Sequence, residues 1–336
     1  MATKIKKTKN ILVTGGAGFV GHHFVEHVLK NTDWNVRVLD SLNYAGNLNR
    51  IYEIKEFDPK RVVFVWHDLR APIRGATKKL IGDIDYCVHF AGESHVDRSI
   101  EDSIPFVLTN VLGTANLLEY IKRNQPGCKT LIFSTDEVFG TAGNEVQYNE
   151  DSPFRPSNPY AASKAGGEMI AFSFAHTFKL PISIVRSMNI VGTRQHPEKF
   201  VPKTIRAIFK NEKVIIHGRN KNDLSLRHWI PAKNVAAGLM FLLDKAEPGQ
   251  FYSISGEERS VLDVANILSE AIKKRPLKSG EIKFVEYETA RPGHDKRYSL
   301  SGEKMARMGW EPPTNIDSYL REIATWTIKN PHWLQD

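Results

Sequence analysis

From Asn10 onward, short runs of β-branched and apolar residues alternate with longer stretches in which apolar positions recur every three or four residues. The short runs Ile11–Thr14, Val36–Asp40, Val62–Trp66, Tyr86–Phe90, Thr130–Ser134 and Ile182–Arg186 predict strands. The longer ones, among them Ile104–Lys122 and Tyr160–Phe178, predict amphipathic helices. Alternation sustained to Ser187 predicts an α/β fold, a parallel sheet covered by helices on both faces. Beyond it Pro197, Pro202, Pro231, Pro276 and Pro292 punctuate shorter elements, as expected of a smaller lobe built from several excursions of chain. The expected division is a flexible basic tail over 1–9, a sheet domain over 10–187 with 229–254, and a smaller lobe over 188–228 and 255–336.

A chain of 336 residues can bury a sizeable core without disulfide or zinc staples. Charged residues at 25% and aromatics at 10% exclude wholesale disorder. The formal charge of +8 is unusual, but Lys4, Lys6, Lys7 and Lys9 supply half of it ahead of the first strand, as in a frayed solubilising terminus. No basic face with interleaved aromatics occurs, so nucleic acid is not an expected partner. Cys87 and Cys128 lack the spacing of a metal or redox motif and read as buried, reduced thiols of a cytoplasmic protein. No run approaches the ~18 consecutive apolar residues of a membrane span. The apolar run Ile11-Leu12-Val13 breaks into Thr14-Gly15-Gly16, too early for a secretory signal.

The first strand runs into Gly15-Gly16-Ala17-Gly18-Phe19-Val20-Gly21 and then a helix with an apolar face of Phe19, Val20, Phe24, Val25 and Val28. Gly15, Gly18 and Gly21 suit a tight turn, backbone approach to a pyrophosphate and close helix packing; a purely structural glycine turn is the alternative. Asp40, ending the second strand, strengthens the dinucleotide reading. A carboxylate there accepts both adenosine ribose hydroxyls and repels a 2′-phosphate, favouring NAD over NADP, while Arg37 should face the other way. His22, His23 and His27 have metal-like spacing, yet a packed or exposed helix face is the simpler reading.

Tyr160 and Lys164 stand one turn apart on a predicted helix. An ammonium beside the phenol, with a positively charged nicotinamide, should draw the tyrosine pKa toward neutrality and make it a base for an alcohol proton. A coincidental surface pair is the alternative. Strand five ends Ser134-Thr135-Asp136-Glu137-Val138-Phe139-Gly140. Thr135 can bond the same alcohol, and Asp136 and Glu137 can serve as acid and base. Both carboxylates reach one substrate only if the backbone leaves the strand at Thr135; otherwise they cap or order a loop.

With these motifs together, the chain resembles the extended short-chain dehydrogenase/reductases, and within them the nucleotide-sugar 4,6-dehydratases of the dTDP-glucose type. The likeness rests on Thr14–Gly21, Asp40–Leu48, Ala91–Ser99, Ser134–Val138, Tyr160 with Lys164, Pro197-Glu198-Lys199 and Arg291–Asp295. It implies a Rossmann-type doubly wound parallel sheet with a smaller C-terminal substrate-binding lobe, a tightly bound NAD recycled each turnover, a nucleotide-sugar substrate and a homodimer. The implied reaction oxidises C4, removes water across C5 and C6, and returns hydride to C6. Thr135, Tyr160 and Lys164 would act at C4, Glu137 at the C5 proton and Asp136 at the C6 hydroxyl. Asn43, Asp68 and Leu69, with Phe90, Ala91, Gly92, Ser94 and Thr109, would complete the NAD site. Ser94, Asn189, Lys199, Phe200, Arg227, Arg291 and His294 would hold the substrate, with a structural role for Arg227 as the alternative. A nucleotide-sugar 4-epimerase, an amino-sugar dehydratase and, more distantly, an inactive NAD-binding protein are the competing functions.

The chain departs from the family pattern mainly in the smaller lobe. Phe139 replaces a tyrosine, Asn189-Ile190-Val191-Gly192-Thr193 replaces an Asn-Asn-Tyr-Gly-Pro segment, and Arg227-His228-Trp229 replaces Arg-Asp-Trp. His217 and Asn234 are also unusual, and the stretch Ser255–Glu258 lacks an expected asparagine. These differences bear on the choice between dTDP- and UDP-glucose rather than on the chemistry.

Overall fold

A computed structural model of the chain describes residues 8–142, 146–221, 223–224, 226–286 and 297–335. Its larger unit is a seven-stranded sheet built from β1 (Asn10–Thr14), β2 (Asn35–Asp40), β3 (Val62–Trp66), β4 (Tyr86–His89), β5 (Lys129–Thr135), β6 (Ile182–Ser187) and a late strand, Phe251–Ile254. Every pairing in it is parallel, and the late strand forms one edge beside β6 while β3 forms the other. The order reverses at β1, whose neighbours are β2 and β4, which opens a crevice at the carboxyl ends of the strands. This is the doubly wound, Rossmann-type architecture the sequence predicts.

The apolar runs are buried on both faces, as a parallel sheet requires. Ile11, Val13 and Val38 pack against Phe24, Val25 and Val28 of the helix Phe19–Asn31 and against Val235, Leu239 and Leu242 of the helix Ala232–Lys245. Leu12, Leu39 and Ile132 meet Leu117, Leu118 and Ile121 on the opposite face. Those last residues belong to the helical run Ile104–Asn124, which by length and mean hydropathy of 1.2 suffices to cross a membrane; here Thr109, Asn110 and Thr114 interrupt it and it packs on the sheet. Its middle, Val107–Gly113, widens into a π-helical turn.

The smaller lobe contains β7 (Ile190–Val191), β8 (Val214–His217) and β9 (Leu226–Pro231), followed, after the sheet-edge strand β10 (Phe251–Ile254), by β11 (Glu257–Ser260), β12 (Ile282–Val285) and β13 (Arg297–Tyr298). β9 is flanked by β7, β11 and β13, so Trp229–Pro231 lies in this lobe's sheet, while the chain from Ala232 returns to the larger unit. Val201, Ile205, Val264, Leu268, Tyr319 and Leu320 form its core. Lys9, read from the sequence as part of the mobile tail, is instead anchored. Its amine pairs with Asp85 at 3.0 Å, because β1 already begins at the next residue. Lys4, Lys6 and Lys7 lie outside the described residues.

The helix Pro159–Phe178 begins where Asn158 accepts a hydrogen bond from the Ala161 N–H at 2.9 Å and Pro159 presets the first turn. Deeper along it, Glu168 receives the Arg186 guanidinium through Nε at 3.0 Å and Nη2 at 2.7 Å, both side chains being 1% exposed or less. Removing one partner strands a buried charge. Glu168→Leu alone should therefore destabilise the fold by about 3–5 kcal/mol, whereas Glu168→Leu with Arg186→Met should recover most of that loss in thermal denaturation.

Candidate functional site

The crevice opens into a cavity of about 730 Å³ lined from both the sheet and the smaller lobe. Every site residue selected from the sequence that the structure describes lines it; Arg291 and His294 lie outside the described residues.

At one end, Gly15 has φ of +68°, and a Cβ on it would stand 2.5 Å from the Ala91 nitrogen. A Cβ on Gly21 would collide with the Gly15 carbonyl, so this glycine lets the helix Phe19–Asn31 seat against the turn. Gly18 precedes that helix, whose first N–H groups therefore face the cavity end lined by Gly15 and Asp40. The Asp40 carboxylate accepts the N–H of Ala17 at 3.0 Å and of Leu42 at 2.9 Å. Burial pushes its pKa up, against these bonds and the nearby Arg50 charge. Arg37 lies outside the lining. The glycine cradle and the carboxylate beyond it fit a dinucleotide.

Sequence reasoning passed over Arg50. It is 3% exposed and donates to the carbonyls of Ala17, Ala45 and Arg194, tying the loop over Asp40 to the glycine turn and to the smaller lobe. A lone arginine in a short polar helix carries no local signal of this kind. His89 was missed for the same reason. Thr114 donates its hydroxyl proton to the Asn110 carbonyl, so His89 donates to Thr114 from Nε2 at 3.0 Å. Its Nδ1 then accepts from Thr14 at 2.7 Å, and burial pulls its pKa down to about 3. Asn110, in the π-helical turn, bridges the Glu93 backbone and Ser163, whose hydroxyl donates to the Tyr160 carbonyl. His22 and His23 are buried, their rings 4.0 Å apart; among the described residues no group of three His, Cys, Asp or Glu is placed to hold a metal ion.

At the centre, β5 stops at Thr135 and the backbone turns into a short 3₁₀ segment, Asp136–Phe139, ended by Gly140 at φ of +74°. Thr135 Oγ1 accepts the Glu137 N–H and donates to Asp136 Oδ1, both at 3.3 Å. Asp136 and Glu137 consequently line the same cavity. Burial first, and the neighbouring Glu137 charge second, push the Asp136 pKa up to about 8, with Arg227 opposing. Asp136 Oδ2 is buried without a hydrogen-bond partner among the described residues, so this carboxyl is held protonated with one oxygen uncommitted.

Burial first, and Glu137 second, raise the Tyr160 pKa above its usual value, with the Thr135 hydrogen bond opposing; the expected shift toward neutrality concerns a phenol that also faces a positively charged nicotinamide. Lys164 donates to the Phe133 carbonyl at 2.7 Å, and burial lowers its own pKa to about 8. In this dry environment the neutral phenol is favoured, and opposing charge must come from a bound molecule.

In the smaller lobe, Asn189 donates to the His228 carbonyl, Lys199 and Phe200 start a helix, and Arg227 projects from β9 at 8% exposure. Phe200 leans on Trp229 with ring centroids 5.8 Å apart. Lys203 and Arg206, one and two turns beyond Lys199, also line the cavity and were not selected from the sequence. Phe139 turns away from it, buried beside Tyr148, Phe154 and the Arg186 guanidinium, which explains an apolar ring there.

Comparison with known proteins matches residues 12–323 to the family model of GDP-mannose 4,6 dehydratase. The low-salt glycan biosynthesis protein of Haloferax volcanii is 38% identical over 95% of this chain and 98% of its own. A trifunctional protein of Arabidopsis thaliana, UDP-glucose 4,6-dehydratase among its named activities, is 34% identical over 98% of this chain and 49% of its own. Among solved structures, the dTDP-glucose 4,6-dehydratase DesIV of Streptomyces venezuelae, with NAD and TYD bound, superposes with a TM-score of 0.87 at 34% identity, covering 97% of this chain and 99% of that one. The chain thus belongs to the GDP-mannose 4,6-dehydratase family, as a nucleotide-sugar 4,6-dehydratase of the extended short-chain dehydrogenase/reductase type.

Proposed function

We propose that this NAD-dependent hydro-lyase converts dTDP-glucose or UDP-glucose to the 4-keto-6-deoxy sugar nucleotide. The larger unit holds the cofactor and the smaller lobe the substrate. The observation that carries the reading is the turn at Thr135, which brings a protonated Asp136 and Glu137 into one cavity with Tyr160. A 4-epimerase has no water to expel and no use for this pair.

NAD fits the glycine cradle and Asp40, with Asn43, Asp68, Leu69, Thr109 and the Phe90–Ser94 stretch along its length; when bound, it accepts a hydride from C4 and later returns one to C6. Thr135 orients the C4 hydroxyl. Tyr160 takes the hydroxyl proton once a bound cation and Lys164 offset the burial that holds it neutral. A C4 ketone acidifies the C5 hydrogen, which Glu137 abstracts. Asp136 delivers its proton to the C6 hydroxyl, which leaves as water. Lys199 and Arg227, joined by the family's Arg291 and His294, supply the charge and hydrogen bonds for a diphosphate, with Ser94, Asn189 and Phe200 around the rest of the substrate.

Incubation with each glucose nucleotide should give a product one water lighter, read by mass spectrometry, and the two rates identify the nucleotide. No water loss from either overturns the reading. Glu137→Gln should retain C4 oxidation and lose dehydration by at least about a hundredfold. Asp136 donates in its protonated form, so the water-loss rate should fall as pH rises through about 8. Asp136→Asn should be slow at every pH and lack that basic limb.

The same reading includes a homodimer. Ile104 at 62%, Val107 at 48%, Leu108 at 37% and Leu112 at 42% exposure recur every three or four residues along one helical run, and Met169 and Phe172 are exposed on the helix Pro159–Phe178 that packs against it. Exposed apolar side chains on two packed helices support burial against a second copy. Leu108→Glu with Leu112→Glu should sediment as a monomer, the parent chain as a dimer. The buried free thiols of Cys87 and Cys128 accord with the expected cytoplasmic location.

A further inference from the structure

Glu198 of the smaller lobe sits at the cavity wall with a side chain 16% exposed and four nitrogen-bearing groups around it. His95 Nε2 lies 3.4 Å and Arg98 Nη2 3.8 Å from one oxygen. Lys199 Nζ lies 3.8 Å from the other; His196 Nδ1 is 3.6 Å from that oxygen but accepts the Glu198 N–H at 3.3 Å, and so gives the carboxylate no proton. His95 Nδ1 accepts the Arg98 N–H at 3.4 Å, so its proton is on Nε2 and points at the carboxylate. Arg98 in turn lies 3.8 Å above the Tyr44 ring, which the His196 ring meets edge-on at 5.8 Å. Tyr44 belongs to the loop after β2, and its neighbour Asn43 donates to Glu93 at 2.7 Å. A continuous set of contacts thus runs from the loop beside Asp40, through Arg98, to Glu198 and the diphosphate-facing Lys199. Arg98 itself is outside the cavity lining and half exposed, and its guanidinium spans Tyr44 on one wall and Glu198 on the other.

We infer that Glu198 is a positioning residue that keeps the substrate lobe closed on the cofactor loop while the sugar is a 4-ketone. The inference rests on the dehydratase reading. In that reaction the sugar has given its C4 hydride to the cofactor and its hydroxyl proton to Tyr160, but still carries the C6 hydroxyl. If it escapes then, the hydride stays behind with no acceptor and the enzyme stops. A reaction that lends its hydride needs the cavity walls held together between the two transfers. A carboxylate engaged by groups from both walls does this without touching the reacting atoms.

The experiment compares the parent enzyme with Glu198→Ala, Glu198→Gln and Arg98→Met, each checked for an unchanged melting profile. Each is given the nucleotide that the parent dehydrates. Filtrates are scanned by mass spectrometry for the 4-keto nucleotide two hydrogens lighter than substrate, and the retained protein for the absorbance of reduced nicotinamide. Glu198→Ala and Arg98→Met should release at least tenfold more of this ketone per turnover than the parent, with reduced cofactor accumulating in step. Added NAD should restore turnover as it exchanges in. Glu198→Gln, which keeps shape and loses charge, should fall between. Folded variants that lose activity without released ketone or reduced cofactor, or that behave as the parent, overturn the assignment. If the parent dehydrates neither nucleotide, the functional reading falls and this inference with it. A variant that fails to fold leaves Arg98→Met, on the outer side of the contact, to decide.

Discussion

The site depends on where β5 stops being a strand. Neighbouring side chains on a strand face opposite ways, so Asp136 and Glu137 serve one cavity only because the chain curls into a 3₁₀ turn after Thr135. That turn has its own local supports: the Thr135 hydroxyl beneath the Glu137 N–H, and Gly140 closing the segment at positive φ where the Arg155 carbonyl leaves no room for a Cβ. It also takes Asp136 out of water, and that, more than repulsion from its neighbour, raises the pKa of the carboxyl. One change of backbone direction thereby sets both the geometry and the protonation of the pair.

Burial works on every ionisable group at the centre of the cavity. It keeps the Asp136 carboxyl and the Tyr160 phenol neutral, and it weakens Lys164 as a cation.

The large sheet was legible in the sequence because parallel strands buried on both faces leave continuous apolar runs, and the helices between them leave a 3.6-residue period. Boundaries moved by a residue or so, as at Thr135, where the strand outlasts its apolar run. The glycine turn, Asp40 and the Tyr160–Lys164 spacing were legible because each is a local pattern with a local reason. Arg50, His89 and Asn110 were not. Their partners lie in distant segments, Arg194 for Arg50 and Thr14 and Thr114 for His89, and nothing nearby in the chain announces such a partner. The burial of Tyr160 was not legible either, because spacing reports which groups are neighbours and says nothing of how dry they are.

The π-helical turn at Val107–Gly113 has a wider consequence. A helix that must present an apolar stripe outward and Asn110 inward has to keep two faces in phase over three turns. The extra residue in the wide turn sets that phase. Deleting one residue would close the wide turn into an ordinary helix, leaving the flanking turns nearly in phase but moving the residues between Val107 and Gly113, Asn110 among them, out of register. Asn110 would then lose its bonds to Glu93 and Ser163. In this part of the chain, length is therefore constrained more tightly than side-chain identity: substitutions along the outer stripe can drift, but insertions and deletions are barred by the polar chain on the other side.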